Sequence, residues 1–310
     1  MKVLRVRLDG VRIVTALGYD HVARTESLAH MAMRHHALAA IDGGFFDSGF
    51  AGPFKDLINT TVVNGHLVFK GDIGCTLFFN VQNVASMEEL PLRIEGAFGD
   101  SFARPDGWYA YGINSYPEGV RSTITIFTPA WGRVTDLRGF QIQVRDGIVS
   151  RIASHSLPIP LDGYVIYVRG FHALRERFHV GRSIEYRVVR RNGLSLGAFA
   201  DAWQAIGGGP RLLVNGHVAL DPRAEGFHDP RLFRIVERSA VGVTRNGKML
   251  ILATAMGSLH TIARIMRRLG AYEAMNLDGG SSAGLWLRGR YITRPRRLLT
   301  NALLVLPSPH

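Results

Sequence analysis

The sequence predicts an α/β (α+β) fold in which two or three helices pack on a mixed, largely antiparallel sheet. Tight-turn dipeptides recur along the chain, as Asn-Gly at Asn64, Asn215 and Asn246 and as Asp-Gly at Asp146, each beside runs of apolar residues. These dipeptides adopt the positive φ of two-residue hairpin turns, and therefore predict antiparallel strand pairs. No low-complexity linker divides the chain, so we expect a single domain over residues 1–310.

Three segments favour helix. Ser258 can cap a helix over residues 259–269, in which apolar side chains share one face, arginines share the other, and Gly270 is the stop. A weaker pattern of the same kind predicts a helix over residues 26–35. A third helix is expected over residues 196–205.

The charge of the chain is strongly positive. The formal net charge is +12, and almost all of the positive charge is arginine, because the chain holds only four lysines. Arginine's planar fork suits phosphate and carboxylate, so an anionic substrate or a polyanionic surface is indicated, the alternative being a compositional bias of the source genome. The densest runs, 187–191 and 294–297, lack interleaved aromatics for stacking on bases. We therefore expect only weak, salt-labile binding of polyanions, nucleic acid included.

Other function classes are disfavoured by composition. No stretch approaches the roughly 20 apolar residues of a membrane span, and residues 1–8 alternate apolar with basic residues, as in a half-exposed strand and unlike a signal peptide. The single cysteine, Cys75, excludes an intramolecular disulfide and a multi-cysteine zinc site, and its apolar neighbours indicate a buried, inert thiol. Twelve histidines include no His-Glu-x-x-His motif, so no catalytic zinc is expected. The cellular compartment stays open.

Two segments share one order of features: a helix, a buried strand, an aspartate and two glycines. They end at Asp42-Gly43-Gly44 and at Asp278-Gly279-Gly280, and a third glycine-rich stretch covers residues 206–210. Glycines let a ligand approach the main-chain N–H groups, although an Asp-Gly-Gly turn can also be purely structural. Two such strand ends with a third glycine loop predict a shared cleft.

Two familiar motifs fail on their context. Residues 280–284 match Gly-x-Ser-x-Gly, but the segment that follows alternates like a hairpin, whereas a nucleophile elbow needs a helix there. Residues 207–209 lack the Lys-Ser/Thr ending of a phosphate-binding P-loop. Neither a serine hydrolase nor a nucleoside triphosphatase is therefore expected.

Five segments, in order, resemble the phosphodiester glycosidase family, which includes the lysosomal uncovering enzyme and bacterial proteins linked to envelope polysaccharides. They are residues 39–47 (family pattern A-I-N-G-G-F-F), 113–114 with Arg121 and 126–132, 205–216, 238–244, and 276–281 with 301–303. The resemblance runs from about residue 20 to 306. Asp42 departs from the family's asparagine and Ser281 from its third glycine. The first departure adds a charge to the expected cleft and puts the usual substrate in question.

The resemblance implies a hydrolase that cleaves a sugar-1-phosphodiester or related glycosidic bond in an anionic glycan or cell-envelope polymer such as an exopolysaccharide. It also favours a secreted or envelope location. Asp42 and Asp278 are the expected pair of catalytic carboxylates, with their acid and base roles left open. Arg121 and Arg238 are expected to bind phosphate, although Arg238 could instead be a buried ion partner that orders Asp278. We expect these four residues to converge on one cavity bordered by the glycines at 207–209.

Further residues are expected to bind substrate. They are Asn114, Thr244 and Asn276 for sugar hydroxyls, and Gly43, Gly44, Gly208, Gly209, Gly279 and Gly280 through their backbones. The sequence requires no cofactor. If a metal ion binds at the carboxylates, we expect calcium or magnesium, because both prefer oxygen ligands. Two alternatives remain, a non-catalytic module that binds anionic glycans and a glycosidase whose substrate carries no phosphate.

Overall fold

A computed structural model describes residues 1–47, 54–99, 101–103, 106–117 and 119–308 of the chain. In chain order the first strands are β1 (Lys2–Arg7), β2 (Val11–Leu17), β3 (Ala39–Asp42), β4 (Thr61–Val63), β5 (His66–Phe69), β6 (Cys75–Phe79), β7 (Ala85–Glu88), β8 (Leu92–Phe98), β9 (Gly107–Ala110), β10 (Gly112–Ile113), β11 (Thr123–Phe127) and β12 (Phe140–Arg145). They are followed by β13 (Ile148–Ala153), β14 (Gly163–Arg169), β15 (Ile184–Arg190), β16 (Gln204–Gly208), β17 (Arg211–Val214), β18 (His217–Val218), β19 (Val236–Val243), β20 (Met249–Gly257), β21 (Glu273–Gly279), β22 (Leu285–Leu287), β23 (Arg290–Thr293) and β24 (Asn301–Pro307). The α-helices are α1 (Leu28–Arg34), α2 (His172–Arg175) and α3 (Leu259–Arg268), and short 3₁₀ turns cover Leu8–Gly10, Gly18–Asp20, Gly197–Asp201 and Pro230–Phe233.

The strands form five sheets, and these sheets dominate the fold. Three of them position the site: the β19 sheet (order β1-β20-β19-β21-β17-β18), the β3 sheet (β2-β24-β3-β22-β23) and the β16 sheet (β5-β4-β16-β6-β7). The other two have the orders β10-β11-β14-β12-β13 and β15-β8-β9. Within the described strands every pairing is antiparallel except that of β10 with β11. The prediction of a largely antiparallel sheet is confirmed, and the sheet content is higher than the α/β label suggests.

The three central sheets share one hydrophobic core. Ile41 and Leu303 of the β3 sheet, Val241 and Leu277 of the β19 sheet and Ile206 of the β16 sheet all lie in it, fully shielded from solvent. Helix α1 packs on the outer face of the β3 sheet, and α3 packs on the outer face of the β19 sheet. Because the sheets are pressed together over this core, the ends of β3, β16 and β21 meet.

The hairpin dipeptides fold as predicted. Asn64, Asp146 and Asn215 have φ of 51°, 47° and 52°, and they connect β4 to β5, β12 to β13 and β17 to β18. Gly247, with φ of 66°, lies in the turn between β19 and β20. The positive φ at each of these turns therefore sets the register of the antiparallel pair through the local backbone conformation.

The two strongest helix predictions are confirmed, and the third is wrong. The side chain of Ser27 caps α1 by accepting a hydrogen bond from His30 N, three residues later. The side chain of Ser258 caps α3 in the same way, by accepting one from Thr261 N. Residues 196–205 instead form a 3₁₀ turn and the start of β16, because Ala205 is buried between β4 and β6 and pairs with both strands. No helix in the part of the chain that the structure describes is long and apolar enough to cross a membrane.

Glycines allow the central sheets to touch at their strand ends. The amide of Asp278 donates to the carbonyl of Gly43 at 2.9 Å, which joins the end of β21 to the end of β3. A Cβ atom at Gly44 would lie 2.2 Å from the carbonyl oxygen of Gly207, and one at Gly43 would lie 1.6 Å from Asn301 Oδ1. A side chain at Gly44 would therefore separate the strands, and one at Gly43 would displace the side chain of Asn301.

We expect Gly44→Ala to destabilise the protein by about 2–3 kcal/mol, because its methyl group would meet a backbone oxygen that cannot rotate away. Gly10→Ala is the matched control, since nothing lies within 4 Å of a Cβ there and its φ is not in the left-handed region. Chemical denaturation of both variants measures the difference. Equal stability of the two variants would contradict the close strand contact.

Candidate active site

A cavity of about 510 Å³ lies beside the start of β19 and the end of β21. Its apolar wall comprises Phe45, Phe46, Ile58, Ile73, Phe227, Leu232 and Val236. Its charged and titratable wall comprises His228, Asp229, Arg231, Arg234, Arg238, Asp278 and Arg297. Of the residues expected from sequence, Asp278, Arg238, Gly279 and Gly280 line this cavity. An apolar wall facing a polar one is typical of a site for an amphipathic ligand.

Asp278 is held rigidly at the end of β21. The residue is 8% exposed, and its Oδ1 accepts a hydrogen bond from Gly279 N at 2.8 Å. Its Oδ2 accepts one from Arg297 Nη2 at 2.6 Å. Both oxygens are thus oriented by donors on the cavity side of the strand, which leaves one carboxylate in a fixed position at the wall.

Arg297 is the residue that orders Asp278. Besides its bond to Asp278, it donates through Nε to Ser282 Oγ at 2.5 Å, and its guanidinium carbon lies 4.3 Å from the centroid of the Phe46 ring. Sequence reasoning noted Arg297 only as part of a basic run, because its partner lies across a hairpin and no local pattern marks the contact. The segment 226–234, which supplies much of the wall, was likewise not identified from sequence.

Arg238 is a buried cation that donates hydrogen bonds to backbone carbonyl groups. Its side chain is 2% exposed, and Nη2 donates to Leu232 O and to Arg234 O, each at 2.6 Å. Burial lowers the pKa of Arg238 from its ordinary value. Among the described residues no carboxylate forms an ion pair with it, so the expectation that it orders Asp278 is corrected: Arg297 has that position.

Asp42 lies behind the cavity wall and does not line it. Its carboxyl group is fully buried, and Oδ1 accepts from Ser239 Oγ at 2.5 Å and from Gly284 N at 2.8 Å, while Oδ2 has no hydrogen-bond partner in the described structure. Burial raises the pKa of Asp42 well above its ordinary value, and the charge of Asp278 raises it further. The protonated form is therefore favoured. The two aspartates are neighbours, as predicted, but only one faces the cavity.

Both asparagines that were expected to bind sugar hydroxyls form hydrogen bonds within the fold. Asn114 is fully buried and donates to Val68 O at 2.9 Å and to Thr128 Oγ1 at 2.8 Å, while its Oδ1 accepts from Thr128 N. Asn276 donates to Gly209 O at 3.0 Å and clamps the glycine stretch to β21. Neither lines the cavity, so both are structural in this arrangement.

Two other expected residues lie outside the cavity. Arg121 is exposed just before β11, whose sheet contributes no residue to the wall. Thr244 donates to Asn246 Oδ1 in the turn after β19 and lines a separate depression of about 720 Å³. Thr244 lies six positions after Arg238 along extended backbone, a distance of roughly 20 Å. Of the four residues expected to converge, Arg238 and Asp278 line the cavity, whereas Asp42 and Arg121 do not. The glycines at 207–209, which were expected to border it, do not line it either.

The glycines divide into two groups. Gly43, Gly44, Gly208 and Gly209 serve close packing, as when Gly209 N donates to Asn276 O at 2.7 Å. Gly279 and Gly280 line the cavity and leave the chain beside Asp278 without side chains. Only the second group lies at the cavity, and its amides already donate to Asp278 Oδ1 and to Glu237 O.

The described residues contain no group of three His, Cys, Asp or Glu side chains that could hold a metal ion. Asp229 and Asp278 are the carboxylates of the cavity wall. Calcium or magnesium at the pair expected from sequence, Asp42 and Asp278, stays a prediction, and turnover before and after treatment with a chelator would test it.

The profile of the phosphodiester glycosidase family matches residues 138–306, just over half of the chain. No curated protein matches the chain. Among solved structures, a hypothetical protein from Synechocystis is 26% identical with a TM-score of 0.83, over 99% of this chain and 59% of that one. This chain therefore spans about three fifths of the length of the Synechocystis protein.

Two further solved structures are more distant. A Burkholderia pseudomallei K96243 protein is 20% identical, with a TM-score of 0.76. The match covers 98% of this chain and 73% of the Burkholderia chain, and it shows a shared fold. The catalytic domain of zebrafish N-acetylglucosamine-1-phosphodiester alpha-N-acetylglucosaminidase, auto-inhibited by its pro-peptide, is 14% identical with a TM-score of 0.46, over 97% of this chain and 74% of its own.

We expect Asp42→Asn to raise the melting temperature by a few degrees at about pH 8 and to leave it nearly unchanged at about pH 4. With its raised pKa, folded Asp42 retains a proton that the unfolded chain releases. The stability it contributes is therefore present at low pH and lost as pH rises above the ordinary aspartate range. Asparagine keeps the Oδ1 acceptor without that loss.

Asp201→Asn, at an exposed aspartate, is the control, and it should follow the pH dependence of the wild type. Thermal unfolding of all three proteins across this pH range gives the comparison. A lower melting temperature for Asp42→Asn at about pH 8 would show that Asp42 is buried as a carboxylate.

Proposed function

We propose that this chain, which belongs to the phosphodiester glycosidase family, hydrolyses the bond between the anomeric carbon of a sugar and the oxygen of a phosphodiester. One observation carries the proposal. The cavity that holds Asp278 also holds Arg238, a buried cation without a carboxylate partner among the described residues. Buried charges are normally paired, so this wall favours a ligand that brings its own negative charge.

The phosphate would lie on the charged wall. The Nη2 atom of Arg238 is committed to Leu232 O and Arg234 O, and these two bonds fix the guanidinium plane at the cavity. Arg234 and His228 extend the basic wall toward solvent, whereas Arg231 is already paired with Asp229 through Nη2 at 2.6 Å. Such preorganised donors stabilise the charge that develops on a departing phosphate oxygen.

The sugar would lie on the apolar wall. Phe45 and Phe227 pack edge to face with ring centroids 5.6 Å apart, and Phe46 is fixed under the guanidinium of Arg297. Aromatic rings offer rigid apolar surface for the C–H face of a pyranose, while its hydroxyls face the polar side. The anomeric carbon then lies between the aromatic wall and Asp278.

Asp278 would act at the anomeric carbon. The departing phosphomonoester is a good leaving group and needs little protonation, so the anomeric C–O bond breaks with its electron pair leaving on the phosphate oxygen. Asp278 either attacks the anomeric carbon directly or takes a proton from the attacking water, which are the carboxylate roles of retaining and inverting glycosidases. Asp229 is the other carboxylate of the wall. Asp42 supports Asp278 from behind as a neutral group.

A substrate panel tests the proposal. Sugar-1-phosphodiesters, teichoic-acid-like envelope polymers and aryl glycosides would each be incubated with the protein, and reducing sugar and phosphomonoester would be measured. We expect release from the phosphodiesters and little from the aryl glycosides. Binding without release would favour a glycan-binding module, and release from phosphate-free glycosides alone would remove phosphate from the proposal.

Asp278→Asn should reduce kcat by at least about a thousandfold while leaving the melting temperature within a few degrees. Asparagine retains the shape and the acceptor for Gly279 N, but it can neither take a proton nor form a glycosyl ester. Asp162→Asn, at an exposed carboxylate outside the cavity, is the control and should retain full activity. Near-normal turnover in a folded Asp278→Asn protein would exclude Asp278 as the catalytic carboxylate.

Arg238→Lys should weaken inhibition by inorganic phosphate at least about tenfold, because lysine keeps the charge but loses the fork that the two carbonyls orient. Arg231→Lys on the same wall is the matched control, since its exposed guanidinium is paired with Asp229. The inhibition constants of the two variants and the wild type are compared. Equal constants for wild type and Arg238→Lys would place the phosphate elsewhere.

A further inference from the structure

A second cavity, of about 420 Å³, lies at the opposite end of β16 from the glycines. Thr15 of β2, Asn64 of the β4–β5 turn, Trp203 and Gln204 contribute to its wall. Four strand steps, roughly 13 Å, separate Gln204 from Gly208 along β16. It shares no wall residue with the cavity that holds Asp278, and is therefore a separate feature of the surface.

Two buried polar atoms at this cavity have no hydrogen-bond partner in the described structure. Thr15 is 1% exposed, and its Oγ1 is one of them. The other is Nε2 of His35, which lies 3.4 Å from Asp20 Oδ1, within ion-pair distance but outside good hydrogen-bond geometry. Burial lowers the pKa of His35 and favours its neutral form. A buried polar atom without a hydrogen-bond partner is destabilising, so Thr15 Oγ1 favours a ligand or water that supplies one.

A fixed amide pair and an aromatic ring complete the cavity. Gln204 Oε1 accepts from Thr15 N at 3.0 Å, and Gln204 Nε2 donates to Asn64 Oδ1 at 2.8 Å, so both amides are oriented. Trp203 is 41% exposed, and its ring lies against Gly65, where a Cβ would be 3.1 Å from Cε3. The turn therefore supports one side of an indole whose remaining surface is open to solvent.

These groups match the chemistry of a sugar ring. An exposed indole offers apolar surface to the C–H face, and the hydroxyl, amide and imidazole groups offer donors and acceptors to ring hydroxyls. The charges at the edge do not select an anion, because Asp20 is already paired with Arg34 and a single arginine, Arg12, lines the wall. We propose that this cavity is a non-catalytic subsite that binds an uncharged sugar unit of a glycan.

Titration of the wild-type protein with cellohexaose and with chitohexaose, both uncharged, tests the subsite by calorimetry and by tryptophan fluorescence. We expect millimolar or tighter binding of at least one, weakened about tenfold by Trp203→Ala and severalfold by Thr15→Val, which removes only the hydroxyl. Tyr111→Ala, at an aromatic residue that is 59% exposed outside both cavities, is the control and should bind normally.

Several results would overturn the subsite. They are failure of both oligosaccharides to bind, binding unchanged in Trp203→Ala and in Thr15→Val, or binding of heparin alone. Melting temperatures confirm that the variants are folded. Turnover of a small sugar-1-phosphodiester should be unchanged in Trp203→Ala, which separates this site from the catalytic proposal. If no phosphodiester is cleaved but oligosaccharide binding depends on Trp203, the subsite stands and the proposed activity fails.

Discussion

The contact between the strand ends of β3, β16 and β21 is the constraint on which the site depends. Its elements are a backbone hydrogen bond from Asp278 N to Gly43 O and the packing of Gly44 on the carbonyl of Gly207. Because the backbones touch, the two aspartates that end β3 and β21 are forced to be neighbours. Asp42 lies inward, where burial raises its pKa, while Asp278 lies at the cavity wall beside a cationic partner.

The charges of the cavity follow from that division. Asp278 is matched by Arg297, which is itself fixed by Ser282 and Phe46, so the carboxylate has little freedom to turn. Arg238 is matched only by carbonyl dipoles, and the wall around it is therefore electrostatically incomplete without an anion. The proposed preference of the cavity for negatively charged ligands rests on this difference between its paired carboxylate and its buried arginine.

Sequence reasoning succeeded where the signal is local. Asn-Gly and Asp-Gly turns, the Ser258 cap and the amphipathic pattern of α3 depend on a few adjacent residues, and all were predicted. The third helix failed because pairing of Ala205 with β4 and β6 overrides the local preference. For the site, family motifs marked Asp278 and Arg238 together with Asn114 and Asn276, which hold the fold. A family motif contains the residues that the fold requires as well as those that the chemistry requires. Only the geometry of the structure distinguishes the two kinds of residue.

The carbonyls that hold Arg238 belong to a 3₁₀ turn, Pro230–Phe233, and to the residue after it. The same short segment supplies one side of the cavity. An anion that binds Arg238 would thus also stabilise the backbone of the turn to which Arg238 donates its hydrogen bonds. By thermodynamic linkage, a more stable turn would in return strengthen the binding of the anion. Occupancy of the cavity and protection of this turn from hydrogen exchange are therefore two readouts of one equilibrium.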